Sequence, residues 1–306
     1  MTAPSAHPDQ QVFHEHRRLL FSVAYRLLGS AADAEDAVQD AWIKWSASDR
    51  SQVADPKAYL TRIVSNLALE RLRSTRHKRE TYVGPWLPEP ILTGGDASEA
   101  VTDAESVSMA MLVVLETLSP LERAVFVLRE VFDFSHAEIA EAVERSEAAV
   151  RQAAHRAREH VQARRPRFSA DRSRQRQATE RFFAAATGGD VNALMELLSP
   201  DVTLWTDGGG KVRQALRPVI GAATVASWFA AIGTVTYQGV QPADMKAELT
   251  ELNGGPGIVF RGPGRVIATV TFDFDTDGRI TAIHNVANPD KLQAVTDGTT
   301  HDIATR

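Results

Sequence analysis

From Phe13 to Val161 the apolar residues recur at helical spacing, and only from Val202 onward do runs of them alternate as strands do. That change of period sets the frame for the fold. An all-α portion comes first, and a portion mixing helices with an antiparallel sheet follows. The 306 residues suffice for two or three domains of about 100–200 residues each. No cysteine is present, which excludes disulfides, thiolate zinc sites and cysteine nucleophiles. We expect no metal, no cofactor and no catalytic residue. No apolar run approaches the roughly 18–20 residues of a membrane span. The first ten residues lack a basic start followed by an apolar stretch. A cytoplasmic chain with no membrane partner is therefore expected.

The net charge of −5, taken alone, argues against nucleic acid as a partner. Its distribution argues otherwise. Ala31 to Ile43 holds Asp33, Glu35, Asp36 and Asp40 and no base. Lys57 to Glu80 has a net of +5, and Ala148 to Arg176 a net of +7. A polyanion feels such patches locally, within a Debye length of about 8–10 Å.

The first block contains three helices. Phe13 to Leu28 carries Leu20, Val23, Ala24, Leu27 and Leu28 on one side and stops at Gly29. Asp33 to Trp45 has its acids in the first turns, where they suit the helix dipole. Asp55 followed by Pro56 starts a third helix, whose polar face holds Arg62, Asn66, Arg71 and Arg73. The runs "LLFSVAYRLLGSAADAEDAVQDAWIKWSA" and "DPKAYLTRIVSNLALERLRSTRHKRE" resemble domain two of the extracytoplasmic-function sigma factors. The resemblance implies that Asp33, Glu35, Asp36 and Asp40 dock on core RNA polymerase. It implies that Arg62, Asn66, Arg71 and Arg73 engage the −10 promoter element.

A second helical block follows a linker. Ser119-Pro120-Leu121-Glu122 and Ser135-His136-Ala137-Glu138 read as capping boxes. Each starts a helix, and a third helix begins at Glu147 after the turn Glu144-Arg145-Ser146. Two helices across a short turn, the second basic, form a helix-turn-helix. Val150, Ala154, Ala157 and Val161 fall on one side of the last helix. Arg151, Gln152, His155, Arg156 and Arg158 fall on the other, where Arg and Gln can read guanine and adenine edges. The stretch from Leu118 to Val161 is similar to sigma domain four, which implies binding to the −35 element.

Residues 170–306 hold helices at Gln175–Ala186, Val191–Leu198 and Ala222–Ile232. Strand-like runs follow near 235–240, 245–252, 257–260, 265–274 and 279–286. The order resembles the α+β SnoaL-like cone. Together with "PWLPEP" in the linker and "DGGGK" at Asp207–Lys211, it identifies a subgroup of sigma factors with a fused SnoaL-like extension that regulates them in cis. Trp86 and Leu87 are too apolar for a free linker, since exposing each costs about 1.5–3 kcal/mol. They and Asp207, Gly208, Gly209, Gly210 and Lys211 are the expected regulatory contacts. The expected boundaries are sigma domain two at 8–80, a linker at 81–105, sigma domain four at 106–168, the cone at 172–293 and a flexible tail at 294–306.

The expected function is that of an alternative sigma factor. It binds core polymerase and promoter DNA, is not an enzyme, and makes intramolecular contacts between cone and sigma domains. The cone leaves room for a small-molecule ligand that the sequence does not identify. The rival is a polymerase-independent helix-turn-helix regulator with a ligand-sensing or catalytic cone. Asp207 or His284 would serve as its general base, with Tyr237 or Trp205 lining the pocket.

Overall fold

The computed structural model describes residues 8–49, 53–94, 107–164, 171–231, 235–301 and 303. Two compact units form. One comprises residues up to His77 together with Val114–Arg164, and the other Lys78–Val113 with Arg165–His301.

The first unit is helical. It contains α1 (Pro8–Leu28), α2 (Ala31–Ala47) and most of α3 (Pro56–Glu80). The end of α4 (Met109–Glu116) leads into α5 (Pro120–Phe126), a π-helical turn at Val127–Val131, α6 (His136–Ala142) and α7 (Glu147–Arg164). The ends follow local chemistry. Gly29 closes α1 at a φ of 66°, a conformation glycine adopts without steric cost. Ser30 Oγ accepts from Asp33 N at 3.1 Å to open α2, and Asp55 Oδ1 accepts from Ala58 N at 3.1 Å to open α3. Both capping boxes form in both directions, at Ser119/Glu122 and Ser135/Glu138. The stripes read from the sequence are buried, among them Leu20, Val23, Leu27, Leu60, Val64, Val150 and Val161.

Two arginines that the apolar pattern does not reveal lie inside this unit. Arg26 and Arg123 are both fully buried. Arg26 Nη1 donates to Ser22 O at 3.1 Å, and its guanidinium sits 5.1 Å from the Phe132 ring centre. Arg123 Nε donates to Arg26 O at 3.0 Å and its other arm pairs with Glu116. A buried charge is tolerated only when paired and hydrogen-bonded, and these contacts join the α5 region to α1.

The second unit is an α+β cone. Helices α8 (Arg172–Gly188), α9 (Val191–Leu197) and α10 (Ala222–Ala230) cover one face of an eight-stranded sheet. The strands are β1 (Leu92–Thr93), β2 (Leu198–Asp207), β3 (Val219–Ile220), β4 (Lys246–Leu252), β5 (Gly255–Gly262), β6 (Arg265–Phe274), β7 (Ile280–Val286) and β8 (Thr300–His301), ordered β3-β2-β7-β6-β5-β4-β1-β8. Most pairings are antiparallel, while β2 with β7 and β1 with β8 run parallel. Register shifts at Phe260/Arg261 and Asp273/Phe274 bend the sheet. Phe182 of α8 lies 4.9 Å from both Phe229 and Phe272, edge to face, at the centre of the core. On the opposite face a smaller cluster joins Leu87, Met109, Leu252, Val259, Val266, Val286, Leu292 and Val295.

That smaller cluster corrects the expected boundaries. Residues from 294 were read as a flexible tail. Instead α11 (Gln293–Thr296) buries Val295 completely, and β8 pairs with β1 through Leu92↔Thr300 and Thr93↔His301. One apolar residue and one strand edge anchor the segment. The linker likewise does not stand apart: its first half supplies Leu87 and β1 to the cone, and Met109, assigned to sigma domain four, sits in the same cluster. The strand expected at 235–240 is a tight turn in which Tyr237 and Val240 bond to each other, with Gln238 at a φ of 51°. The rest of the expected linker (95–105), the 165–170 boundary, and tail residues 302 and 304–306 fall outside the described residues.

The Ser135–Glu138 box yields a direct prediction. The Ser135 side-chain and backbone hydrogen bonds hold the Glu138 carboxyl below its ordinary value. A depressed carboxyl stabilises the folded state above its unfolded pKa, and that contribution is lost as pH falls through the folded value. Ser135→Ala is expected to cost about 1 kcal/mol, measured as faster amide exchange in α6. The gap between variant and parent should narrow on acidification.

Candidate nucleic-acid interface and linker clamp

Helical phase sorts the basic residues of α3. Arg62, Asn66 and Arg73 share one face, since steps of four and eleven residues return close to the same angle. Arg73 is exposed, and Arg62 and Asn66 are half-buried. Arg71 stands about half a turn from Arg62 and points the other way. Its guanidinium bonds Asp40 at 2.6 Å and Asp33 O at 2.9 Å, and lies 3.6 Å from Asp36. The structure thus corrects the grouping of Arg71 with the promoter-facing residues: it ties α3 to α2. Glu35 pairs with Arg17 of α1. Asp36 keeps most of its carboxylate in solvent, and Asp33 and Asp40 less of theirs.

Arg62 is engaged as well. It stacks on Tyr59 at 5.2 Å and pairs at 3.0 Å with Glu141 of α6, the first helix of the helix-turn-helix. On α7, Arg151, Gln152, His155, Arg156 and Arg158 are all exposed. Their partners divide them. Arg156 reaches back to Glu122 at 2.7 Å and Arg158 to Glu130 at 2.6 Å, so they brace α7 against α5 and the π-helical turn that follows it. Burial works to raise the Glu122 carboxyl, but hydrogen bonds from Arg156 and Ser119 outweigh it and hold the group low. Among the described residues Arg151 and His155 pair only within α7, with Glu147 and Glu159. Surface pairs of this kind are worth about 0–1 kcal/mol and exchange readily for a phosphate or a base edge.

The most densely bonded polar cluster of the second unit is built on Asp207, the last residue of β2, which is fully buried. Its Oδ1 accepts from the Tyr82 hydroxyl at 2.6 Å and from Gly209 N at 3.1 Å. Its Oδ2 accepts from Leu87 N at 2.9 Å and from Lys291 Nζ at 2.7 Å. Lys291 Nζ also donates to Leu87 O and lies 3.9 Å from the Trp86 ring centre and 4.8 Å from that of Tyr82. Asn288 Nδ2 donates to the Tyr82 oxygen at 2.8 Å. Burial, and after it the bond to Asp207, pushes the Tyr82 hydroxyl well above the tyrosine range, so it remains a donor.

The glycines after Asp207 make room for this. A Cβ on Gly208 would strike Val212 O, and one on Gly209, at a φ of 59°, would strike Asn288. Lys211 pairs with Asp290 at 2.7 Å and ties the loop to the Asn288–Leu292 segment. A second anchor follows along the linker. Asn253, at a φ of 51° between β4 and β5, exchanges bonds with Ile91 (N to Oδ1 at 3.2 Å, and the reverse backbone bond at 3.0 Å), and its amide donates to Val107 O at 3.2 Å.

Sequence reasoning singled out Asp207, Trp86 and Leu87, and the structure brings them together. It missed Tyr82, Lys291 and Asn253. The sequence holds a partial signal for Lys291, whose Asn-Pro-Asp-Lys-Leu setting marks the end of β7. The catalytic alternative loses its geometry. Asp207 is saturated with donors and His284 is enclosed; neither lines the cone's cavity, and Trp205 packs with the opposite cluster. Tyr237 does line it. Among the described residues no group of three or more His, Asp or Glu is placed to hold a metal. No helix among them is long and apolar enough to cross a membrane.

The chain is similar to known proteins. A model of Sigma-70 region 2 matches residues 12–78, and one of Sigma-70, region 4 matches residues 108–161. The chain is 42% identical over 290 residues to "ECF RNA polymerase sigma factor SigJ" of Mycobacterium tuberculosis, covering 92% of each sequence. It is 32% identical over 198 residues to "Probable ECF RNA polymerase sigma factor SigI" of the same species, covering 64% of this chain and 68% of that one. The crystal structure of the Mycobacterium tuberculosis extracytoplasmic function sigma factor SigJ superposes with a TM-score of 0.73 at 38% identity, over 92% of this chain and 97% of that one.

The clamp makes a sharp prediction. Lys291→Met leaves a buried carboxylate without its cation and is expected to cost about 3–5 kcal/mol. The loss should appear in the urea transition of the second unit and as faster proteolysis within residues 81–94. Adding Asp207→Asn to that variant should recover much of it, because the stranded charge is then gone.

Proposed function

This chain belongs to the extracytoplasmic-function sigma factors of RNA polymerase, and we propose that its SnoaL-like cone regulates promoter recognition in cis by gripping the linker between the two sigma domains. Sigma factors bind core polymerase and promoter DNA, and the family is not one of enzymes. The observation that carries the regulatory reading is the buried Asp207–Lys291 pair closed over Tyr82, Trp86 and Leu87. A linker so held has a restricted path, and its path sets the separation available to the domains it joins.

The acidic face of α2, Asp36 foremost, docks on polymerase. Arg62, Asn66 and Arg73 engage the −10 element, and Arg151, Gln152 and His155 read the −35 element while Arg156 and Arg158 hold α7 in place. The Arg62–Glu141 contact bears on this reading. Elements named 25 base pairs apart lie about 85 Å apart at 3.4 Å per pair. Binding both therefore requires α3 and α6 to part, and an exposed pair worth about 0–1 kcal/mol resists that little. The proposed boundaries put sigma domain two up to about residue 80 and domain four to about 164, with 81–94 functionally a linker although structurally part of the cone. A cytoplasmic location follows from the polymerase partner.

In vitro transcription with core polymerase tests the proposal, comparing the full chain, a chain ending near residue 168, and Lys291→Met. Both altered forms are expected to shift transcript yield relative to the full chain. Equal output from all three would falsify regulation through the clamp, while no transcript from any would remove the sigma reading itself. A second prediction separates the arginines. Arg151→Ala should cost about 1–3 kcal/mol of −35 discrimination in competition binding by the polymerase complex. Arg71→Ala should instead lower the thermal stability of the helical unit and leave that preference intact.

A further inference from the structure

The cone holds a partly open cavity of about 390 Å³ between α10, the turn at Tyr237 and strands β5 to β7. This lies within the range of about 300–1,000 Å³ typical of small-molecule sites. Trp228, Met245, Phe260 and Val270 give it an apolar wall. Its polar groups are few: Asn285 is buried, Gln214 and Tyr237 half-buried. Gln214 Nε2 donates to the Tyr237 hydroxyl oxygen, and the Gln214 carbonyl oxygen is buried without a partner among the described residues. Asn285 is 4% exposed, and its Oδ1 also has no partner among the described residues. Buried amide oxygens left unpaired are costly, and the large majority of buried side-chain polar atoms are paired. Among the described residues the lining contains no carboxylate, and its one charge, Arg213, is exposed.

We infer that this cavity is a binding site for a neutral, largely apolar small molecule that carries a hydroxyl group. The apolar body fills the space under Trp228 and Phe260. The hydroxyl donates to the Asn285 or Gln214 carbonyl, and its oxygen accepts from the Tyr237 hydroxyl. Burial raises the Tyr237 pKa, so the phenol keeps its proton for that bond. The site is separate from the Asp207 clamp, and its occupancy can be measured without polymerase or DNA. Its failure and that of the regulatory reading are therefore distinguishable.

The test is calorimetric titration of the full chain with 2-naphthol, naphthalene and 2-naphthoate. 2-Naphthol is expected to bind once per chain and at least tenfold more tightly than naphthalene, because a site built to hydrogen-bond a hydroxyl rejects the analogue lacking it. Gln214→Leu, at a half-buried position, and Asn285→Leu should each narrow that ratio. Ala268→Phe, which fills the cavity, should abolish binding of both ligands. Circular dichroism and the urea midpoint identify any variant that has failed to fold, and Gln214→Leu carries the test if the other two do. No saturable heat with 2-naphthol would overturn the inference and leave a solvent-filled cavity. Equal affinity for naphthalene would remove the hydrogen-bonding role. Tightest binding by 2-naphthoate, lost in Arg213→Gln, would replace the neutral ligand by an anion.

Discussion

A single buried carboxylate organises the second unit. Asp207 accepts from two linker groups, one loop amide and one lysine, and its backbone oxygen accepts from Ala287 and Asn288 at 2.8 and 2.9 Å. Isolated, such a charge would be intolerable in an apolar interior. Each donor brought to it therefore fixes a segment: Tyr82 and Leu87 the linker, Gly209 the loop after β2, Lys291 the segment after β7. The cone's fold and the linker's course are one electrostatic problem with one solution. Breaking it frees the linker and leaves a charge stranded, which makes the arrangement close to all-or-none.

The helical unit solves a related problem by other means. Arg26 and Arg123 are buried among apolar helices and satisfied mainly by backbone carbonyls, one ring face and Glu116. These contacts are directional, so they specify which helices meet. By contrast, the pairs that face solvent, such as Arg62 with Glu141 and Arg151 with Glu147, are screened and exchangeable. The division separates contacts that hold the helices together from surface pairs that can open at little cost.

Helix ends, helical stripes and the core strands could be read in the sequence because each rests on local chemistry. Ser119, Ser135 and Asp55 cap where expected, and β6 runs from Arg265 to Phe274 as its alternation implies. What could not be read is long-range pairing. Nothing in the local sequence says that Lys291 meets Asp207, 84 positions away, or that Asn253 meets Ile91. Arg71 was misplaced because helix-face assignment by charge ignored its half-turn offset from Arg62. The ordered segment after Leu292 was missed because one valine and a two-residue strand carry no periodicity. Asp207 itself was legible through the glycines that follow it, since three in a row signal close approach of backbone.

The parallel pairing of β1 with β8 has a temporal meaning. Leu92 pairs with Leu252 and Thr300, and Thr93 with His301. During synthesis at about 5–20 residues per second, roughly 10–40 s separate the appearance of β1 from that of β8. Both helical blocks leave the ribosome before β1, which lies between them in sequence, has a strand to pair with. Each newly made molecule therefore passes through an interval in which its helical segments are complete and the sheet that takes up β1 is not.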